Sequence, residues 1–341
     1  MGHKVRVSDT GEVFEVSRDE TILDAALRTG VRLPHECTFG GCGTCRVRLQ
    51  EGCVHYDEFP MALTPEEAEQ GYALACQAHP DTDVVLTPAN HGPVLAEPVH
   101  TVAEVHQVEP LTADISRLVL QLPEDLDCDY RPGQHMNILL PDGAERSFSM
   151  ASAFPFGNEL EFHVRHVPGG AFTQERLPAL KAGDALDIEI PKGTFCYHAE
   201  DYRPMIFVAT GTGFAPIRAM LESLLDDEDC PPVSLYWGMR TEADLYAREE
   251  LESWLGRLYE FNFVPVLSRA GESWTGRTGH VQDALAQDFQ DVSEYAFYLC
   301  GSPQMVTDTK RVLLGLGAEM DVIYSDSFTF HHGQNEKPVA A

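Results

Sequence analysis

The stretch Cys37-Thr38-Phe39-Gly40-Gly41-Cys42-Gly43-Thr44-Cys45, followed at a distance by Cys76 in Leu74-Ala75-Cys76-Gln77, decides how the rest of the chain is read. A C-x4-C-x2-C triple with one remote cysteine is the spacing by which four thiolates hold a two-iron, two-sulfide cluster. Four sulfurs must reach two metals, and Gly40, Gly41 and Gly43 let the backbone wrap closely and aim N–H groups at the sulfides. The rival is structural zinc, but zinc ribbons generally use two short cysteine pairs, whereas this is one triple and one single. Cys53 lies outside the pattern and reads as a small buried thiol.

Around this loop, composition sets limits. A chain of 341 residues is too long for one ordinary core and should divide into two or three domains. With 43% hydrophobic and 23% charged residues its composition is that of a globular protein, and no apolar run approaches the length of a membrane span. Nine cysteines, an odd count with four at ligand spacing, suit a reducing compartment, and the start MGHKVRVSDT lacks the features of a secretory signal. A soluble, cytoplasmic protein is expected, with no membrane partner. Lys+Arg is 24 against Asp+Glu 54, a net charge of -30 that repels nucleic acid; it either serves solubility or steers a partner with a basic face.

The alternation in KVRVSDTGEVFEV, with a turn at Asp9-Thr10-Gly11, predicts a β-hairpin, and Thr21 with Gly30 brackets a short helix. We place a first domain at 1–90 and a Pro-rich linker at 91–98. Residues 99–199 hold repeated short strands between Gly and Pro turns, the pattern of an antiparallel β-barrel. From 200 to 328, buried strands such as PMIFVATG, SLYWG and AFYLCG alternate with helical segments, predicting an α/β domain with a parallel sheet. Residues 329–341 read as a flexible tail.

LPHECTFGGCGTCRVRL and LACQAHPDTDVVL resemble the plant-type ferredoxin family beyond the cysteines themselves, and that resemblance implies an α+β, β-grasp domain whose cluster is held by Cys37, Cys42, Cys45 and Cys76. Arg146-Ser147-Phe148-Ser149, after RPGQHMNILL, resembles the flavin motif of the ferredoxin-NADP reductase superfamily. There an arginine forks onto the FAD pyrophosphate, an aromatic packs on the isoalloxazine and a hydroxyl bonds flavin N5. Phe148 stands where the family usually has tyrosine. A second flavin segment is matched by His163, Val164, Arg165, Gly169, Gly170, Ala171, Phe172 and Thr173, in which a strand leads through glycines to a helix end facing phosphate.

Gly211-Thr212-Gly213-Phe214-Ala215-Pro216 is similar to the superfamily's nucleotide loop rather than to G-x-G-x-x-G. Cys300-Gly301-Ser302-Pro303 resembles its CGxP, where the cysteine approaches nicotinamide C4. Arg240 is expected at the cofactor phosphates, and Ser268-Arg269 where some members bind a 2′-phosphate; NADH is favoured, with NADPH possible. Asp326-Ser327-Phe328 resembles the terminal acidic-x-aromatic, in which the aromatic covers the flavin. Ser149, Cys300 and Asp326 are thus the expected catalytic residues. In domain order the chain resembles reductases of Rieske ring-hydroxylating dioxygenases of the benzoate or terephthalate type. That implies a monomeric protein moving electrons from NAD(P)H through FAD and 2Fe-2S to a terminal oxygenase. Alternative customers are a diiron monooxygenase or a deoxysugar dehydratase, and a non-catalytic carrier leaves both nucleotide segments unexplained. Cys76→Ser should abolish reduction of cytochrome c while sparing NADH-dependent, flavin-mediated reduction of ferricyanide; survival of both activities would take the cluster off the electron path.

Overall fold

The computed structural model describes residues 2–35, 38–41, 43–89, 95–126, 128–153, 157–199 and 201–328. Cys37, Cys42, the start of the expected linker and the tail 329–341 lie outside the described residues. Three large sheets organise the described residues, beside a small pairing of Val54–His55 with His79–Pro80.

The first sheet begins with the expected hairpin: His3–Val7 pairs antiparallel with Val13–Val16, placing Val5 opposite Phe14. His3–Val7 also runs parallel to Val84–Pro88, which is antiparallel to Arg46–Glu51, and that strand pairs with Tyr72–Leu74. The helix Ile22–Thr29 packs Ile22, Leu23, Ala25 and Ala26 into the core. Its ends match the sequence: Thr21 and Asp24 form a reciprocal capping box, and Gly30 closes it at φ 76.

In the second sheet the order is Glu145–Ser149, His135–Leu139, Ala185–Lys192, Val99–Pro110, Ile115–Gln121 and Glu159–Arg165, and every pairing is antiparallel. An isolated bridge between Met150 and Phe162 joins the two outer strands. Leu118, Leu120, Met136, Ile138, Phe162 and Ile188 fill the interior and are shielded completely from solvent.

The third sheet runs Arg277–Thr278, Asn262–Leu267, Val233–Met239, Met205–Thr210, Ala296–Gly301 and Ile323–Ser327, with every pairing parallel. Met205–Ala209 are all buried, as a strand covered on both faces requires. Strand order reverses between Met205–Thr210 and Ala296–Gly301, and such a reversal opens a crevice beyond the carboxyl ends of the two strands. No helix among the described residues is long and apolar enough to cross a membrane.

Buried side chains of the first sheet join those on one face of the third in a single apolar cluster. The second sheet keeps a core of its own. Because Phe162 is fully buried and belongs to the bridge between the outer strands, Phe162→Ala should cost about 3–5 kcal/mol of stability. Denaturant titration followed by far-UV circular dichroism would measure the loss.

Candidate functional site at the strand-order reversal

Two loops meet where the parallel sheet reverses. Thr210–Gly213 leaves one central strand and Cys300–Pro303 leaves its neighbour, and Gly213 packs so tightly that a Cβ there would overlap the Cys300 carbonyl. Gly301 is equally closed in, against Thr210, whose hydroxyl accepts from the Ser302 N–H at 3.3 Å. Gly211–Gly213 forms a 3-10 turn that runs into the helix Phe214–Ser223, so Thr212, Gly213 and Pro216 sit at or near its start. Pro303 opens the helix Pro303–Gly315, capped by Ser302.

The terminal strand completes this crevice. Parallel register sets Cys300 beside Asp326 and Gly301 beside Ser327, and the Phe328 N–H donates to the Gly301 carbonyl at 2.8 Å. Burial, reinforced by the charge of Asp326, pushes the Cys300 thiol well above its ordinary pKa, so it stays protonated at neutral pH.

His135, not among the expected site residues, belongs to the same place. Strand pairing sets it opposite Ser149, and burial lowers its pKa against the opposing pull of Asp326. Its sequence signal was only a histidine in RPGQHMNILL; strand register was needed to bring it to Ser149. Register thus sets Cys300 beside Asp326 and His135 opposite Ser149, and the charge of Asp326 opposes the fall in the His135 pKa.

The other expected flavin residues divide by environment. Phe148 is half-buried with its ring 5.4 Å from that of Phe172, which is itself buried in the second core. Arg146 donates to the neighbouring Glu145 carbonyl, while Ser147 turns away to Asn137 at 2.8 Å. The segment after Gly169 and Gly170 is a single wide π-helical turn, Ala171–Arg176, rather than an ordinary α-helix, and the Thr173 hydroxyl accepts from the Val167 N–H. Val164 lies in the core. Arg165 reaches the nucleotide loop, its guanidinium 3.3 Å from where a Gly211 Cβ would be, and its buried Nε has no hydrogen-bond partner.

His163 has both ring nitrogens engaged. Nε2 lies 3.0 Å from Glu161, and Nδ1 lies 3.0 Å from the hydroxyl of Tyr246. Burial lowers its pKa despite Glu161, so a neutral ring donates through Nε2–H and accepts from Tyr246. This side chain joins the antiparallel sheet to the nucleotide domain. Arg240 and Arg269 are exposed at adjacent strand ends, tied by the Arg269 N–H to the Arg240 carbonyl at 2.8 Å, with Ser268 beside them.

Of the four thiolate candidates, Cys45 and Cys76 are described and both are buried. The Ala75 N–H donates to the Cys45 carbonyl at 3.0 Å, holding the two segments together. Thr38, Gly40 and Gly43 all have positive φ, and a Cβ on Gly40 would press on Gln77 and Pro60. Such a closely wrapped loop over buried thiols fits a compact cluster. Burial near Cys45 and Cys76 lifts the Tyr56 hydroxyl to about 12. Cys53, expected buried, is exposed, because Gly52 and Thr82 place it at a sheet margin beyond the core.

A crevice for a dinucleotide, a flavin-type antiparallel sheet against it and a thiolate loop define a pyridine-nucleotide oxidoreductase with an internal electron carrier. Family profiles agree: a 2Fe-2S iron-sulfur cluster binding domain matches residues 5–81, an oxidoreductase FAD-binding domain 102–197 and an oxidoreductase NAD-binding domain 207–311. A CDP-6-deoxy-L-threo-D-glycero-4-hexulose-3-dehydrase reductase of Yersinia pestis is 34% identical, over 96% of this chain and 99% of that protein. Reductase component 2 of a Comamonas terephthalate 1,2-dioxygenase is 31% identical, over 97% and 100%. The crystal structure of an Amycolatopsis cytochrome P450 reductase superposes with a TM-score of 0.70 at 32% identity, covering 96% of this chain and 98% of that one. The chain belongs to the three-domain ferredoxin-NADP reductase-type reductases with an N-terminal 2Fe-2S domain, and passes electrons from NAD(P)H through FAD to the cluster.

The buried His163 gives a sign for the pH dependence of stability. Its folded pKa lies below the unfolded value, so the unfolded chain binds the proton first as pH falls. Stability should therefore drop below about pH 6.5, by at most about 1.4 kcal/mol per pH unit, until the folded ring itself titrates. His163→Gln should flatten this part of a denaturation-against-pH curve; an unchanged curve would assign it to other groups.

Proposed function

We propose that the convergence of Ser149, His135, Asp326 and Cys300 is the hydride-transfer site, and that this chain reduces the terminal oxygenase of a Rieske ring-hydroxylating system. When bound, the nicotinamide supplies a hydride, FAD takes up its two electrons and releases them singly, and the cluster carries each one outward. The observation carrying the reading is that strand register sets Asp326 beside Cys300, on the nucleotide side, while His135, whose pKa Asp326 pulls upward against burial, stands opposite Ser149.

In this reading Gly211, Thr212, Gly213 and Pro216 seat the nucleotide at a helix start, and Arg240, Ser268 and Arg269 meet its phosphates. Cys300, Gly301 and Pro303 place its nicotinamide. Ser149 bonds the flavin at N5, and a neutral Cys300 beside Asp326 presents no second negative charge to the incoming ring. Arg146 holds the FAD pyrophosphate, Phe148 and Phe328 take the two sides of the flavin, and Gly169 to Thr173 line the phosphate end. Arg165, whose Nε lies 3.6 Å from Asp114 and whose outer guanidinium nitrogens lie beside Gly211, is suited to an anion shared between the two nucleotide sites. The thiolates of Cys37, Cys42, Cys45 and Cys76 hold the iron.

We assign the domains to 1–90, 99–199 and 200–328, with the linker at 91–98 and a tail at 329–341. The first is read as a β-grasp and the second as a barrel closed through the Met150–Phe162 bridge. The third is read as a doubly wound α/β sheet. A monomer acting in the cytoplasm suits this role. A second reading, with a deoxyhexulose dehydrase as electron acceptor, is supported by the Yersinia relative at 34% identity.

Stopped-flow reduction tests the site. Ser149→Ala should slow flavin reduction by NADH about a hundredfold while nucleotide affinity holds; a wild-type rate would move the hydride site elsewhere. Arg269→Ala should raise the KM for NADPH selectively, and an equal effect on both nucleotides would remove it from 2′-phosphate recognition. Purified candidate acceptors, one oxygenase and one dehydrase, then separate the two partner readings.

A further inference from the structure

A carboxylate with no solvent exposure lies where the ferredoxin unit meets the nucleotide unit. Glu67 caps its own short helix by accepting from the Thr64 N–H at 2.5 Å through Oε2. Its other oxygen lies 3.0 Å from the Arg46 guanidinium and 3.7 Å from the Lys310 ammonium. Arg46 is 5% exposed and Lys310 2%, so two cations and one anion share an interior site. Neither Glu67 Oε1 nor Arg46 Nε makes a hydrogen bond, and Arg46 lines a cavity of about 260 Å³ with Gly43, Thr44, Phe195 and Ser325.

The three charges come from functionally distinct places. Arg46 directly follows Cys45, donates to the Ala62 carbonyl at 2.8 Å and lies 3.5 Å from where a Gly43 Cβ would stand. Lys310 is on the helix Pro303–Gly315, whose first turn follows the Cys300–Gly301 loop. Glu67 thus ties the thiolate loop to the helix that begins at the nicotinamide loop. Two further contacts flank it: the Tyr72 hydroxyl donates to Asp321 at 2.5 Å, and the Ser327 hydroxyl donates to the Gly41 carbonyl at 2.5 Å. Asp321 and Ser327 bracket the terminal strand that carries Asp326.

A buried ionic group is a poor source of stability, since apolar side chains of similar volume hold an interface at least as well, but it can fix register because alternative seatings leave charges unpaired. We propose that Glu67 is a positioning residue for electron exit, pairing with Arg46 and Lys310 to hold the cluster at a fixed distance from the flavin site. The inference rests on the reading that electrons leave through the cluster. Tunnelling falls exponentially with separation, so a displacement too small to disturb hydride transfer still slows the next step.

The test uses the full-length protein loaded with FAD and cluster. In Glu67→Gln, flavin reduction by NADH should keep its wild-type rate while cluster reduction, followed by its visible and electron paramagnetic resonance signals, slows about ten- to a hundredfold. Amide hydrogen exchange should rise in both Pro65–Glu69 and Pro303–Gly315. Lys310→Met should reproduce both effects, and Lys310→Arg should restore both. Cluster reduction at the wild-type rate, or an equal slowing of flavin reduction, would overturn the proposal. Should Glu67→Gln not fold, the Lys310 pair decides by the same criteria. Cys76→Ser separates the premises: continued electron delivery there would defeat the cluster pathway itself, whereas lost delivery alongside an unaffected Glu67→Gln would defeat this inference alone.

Discussion

Gly213 packs against the Cys300 carbonyl with no room for a Cβ, and the arrangement of the crevice depends on that contact. It brings the start of the helix Phe214–Ser223 against the end of the neighbouring strand, where strand order reverses. Any side chain at this position would push the two loops apart and separate the helix end from Cys300. The parallel pairing of Cys300 with Asp326 then carries the same alignment into the terminal strand, so three chain segments share one point.

The antiparallel sheet is docked onto that point by polar groups. Arg218, on the nucleotide helix, donates to the Ala151 carbonyl at 2.5 Å and to Glu250 at 2.6 Å, and Glu250 with the more distant Glu161 and Glu222 raises its pKa despite burial. His163 bridges from Glu161 to Tyr246, and Tyr246 lies edge-on to Trp237, whose indole N–H donates to the Gly211 carbonyl at 3.1 Å. A continuous set of contacts therefore runs from the flavin-type sheet into the nucleotide loop. Removing one member would leave buried partners unsatisfied, so these residues stand or fall together.

Local chemistry made much of this legible in sequence. Thr21 and Gly30 bound a helix through capping, the alternation in KVRVSDTGEVFEV specified a hairpin, and the apolar run Met205–Ala209 indicated a strand covered on both faces. Ser149, Cys300 and Asp326 were expected through resemblance to family motifs, and register sets the last two side by side. His135 was not expected, because its relation to Ser149 exists only through strand register. For His163 the passage was noticed but not the side chain's partner, since Tyr246 lies 83 positions away. Cys53 was misplaced because burial of a lone thiol has no local signal; its neighbours Gly52 and Thr82 set it outside the core.

Interdomain register was the least legible feature, and charge explains why. With only 24 lysines and arginines against 54 acidic residues, the composition suggests cations dispersed on an acidic exterior. Instead Arg46, Arg218 and Lys310 are buried, each beside a carboxylate at a boundary between units. Arg46 and Lys310 share the one buried carboxylate of Glu67, so that group withdraws two positive charges and one negative from the exterior. The same few positive charges thus bear on how the units are seated, because each is held by a carboxylate at a boundary between them.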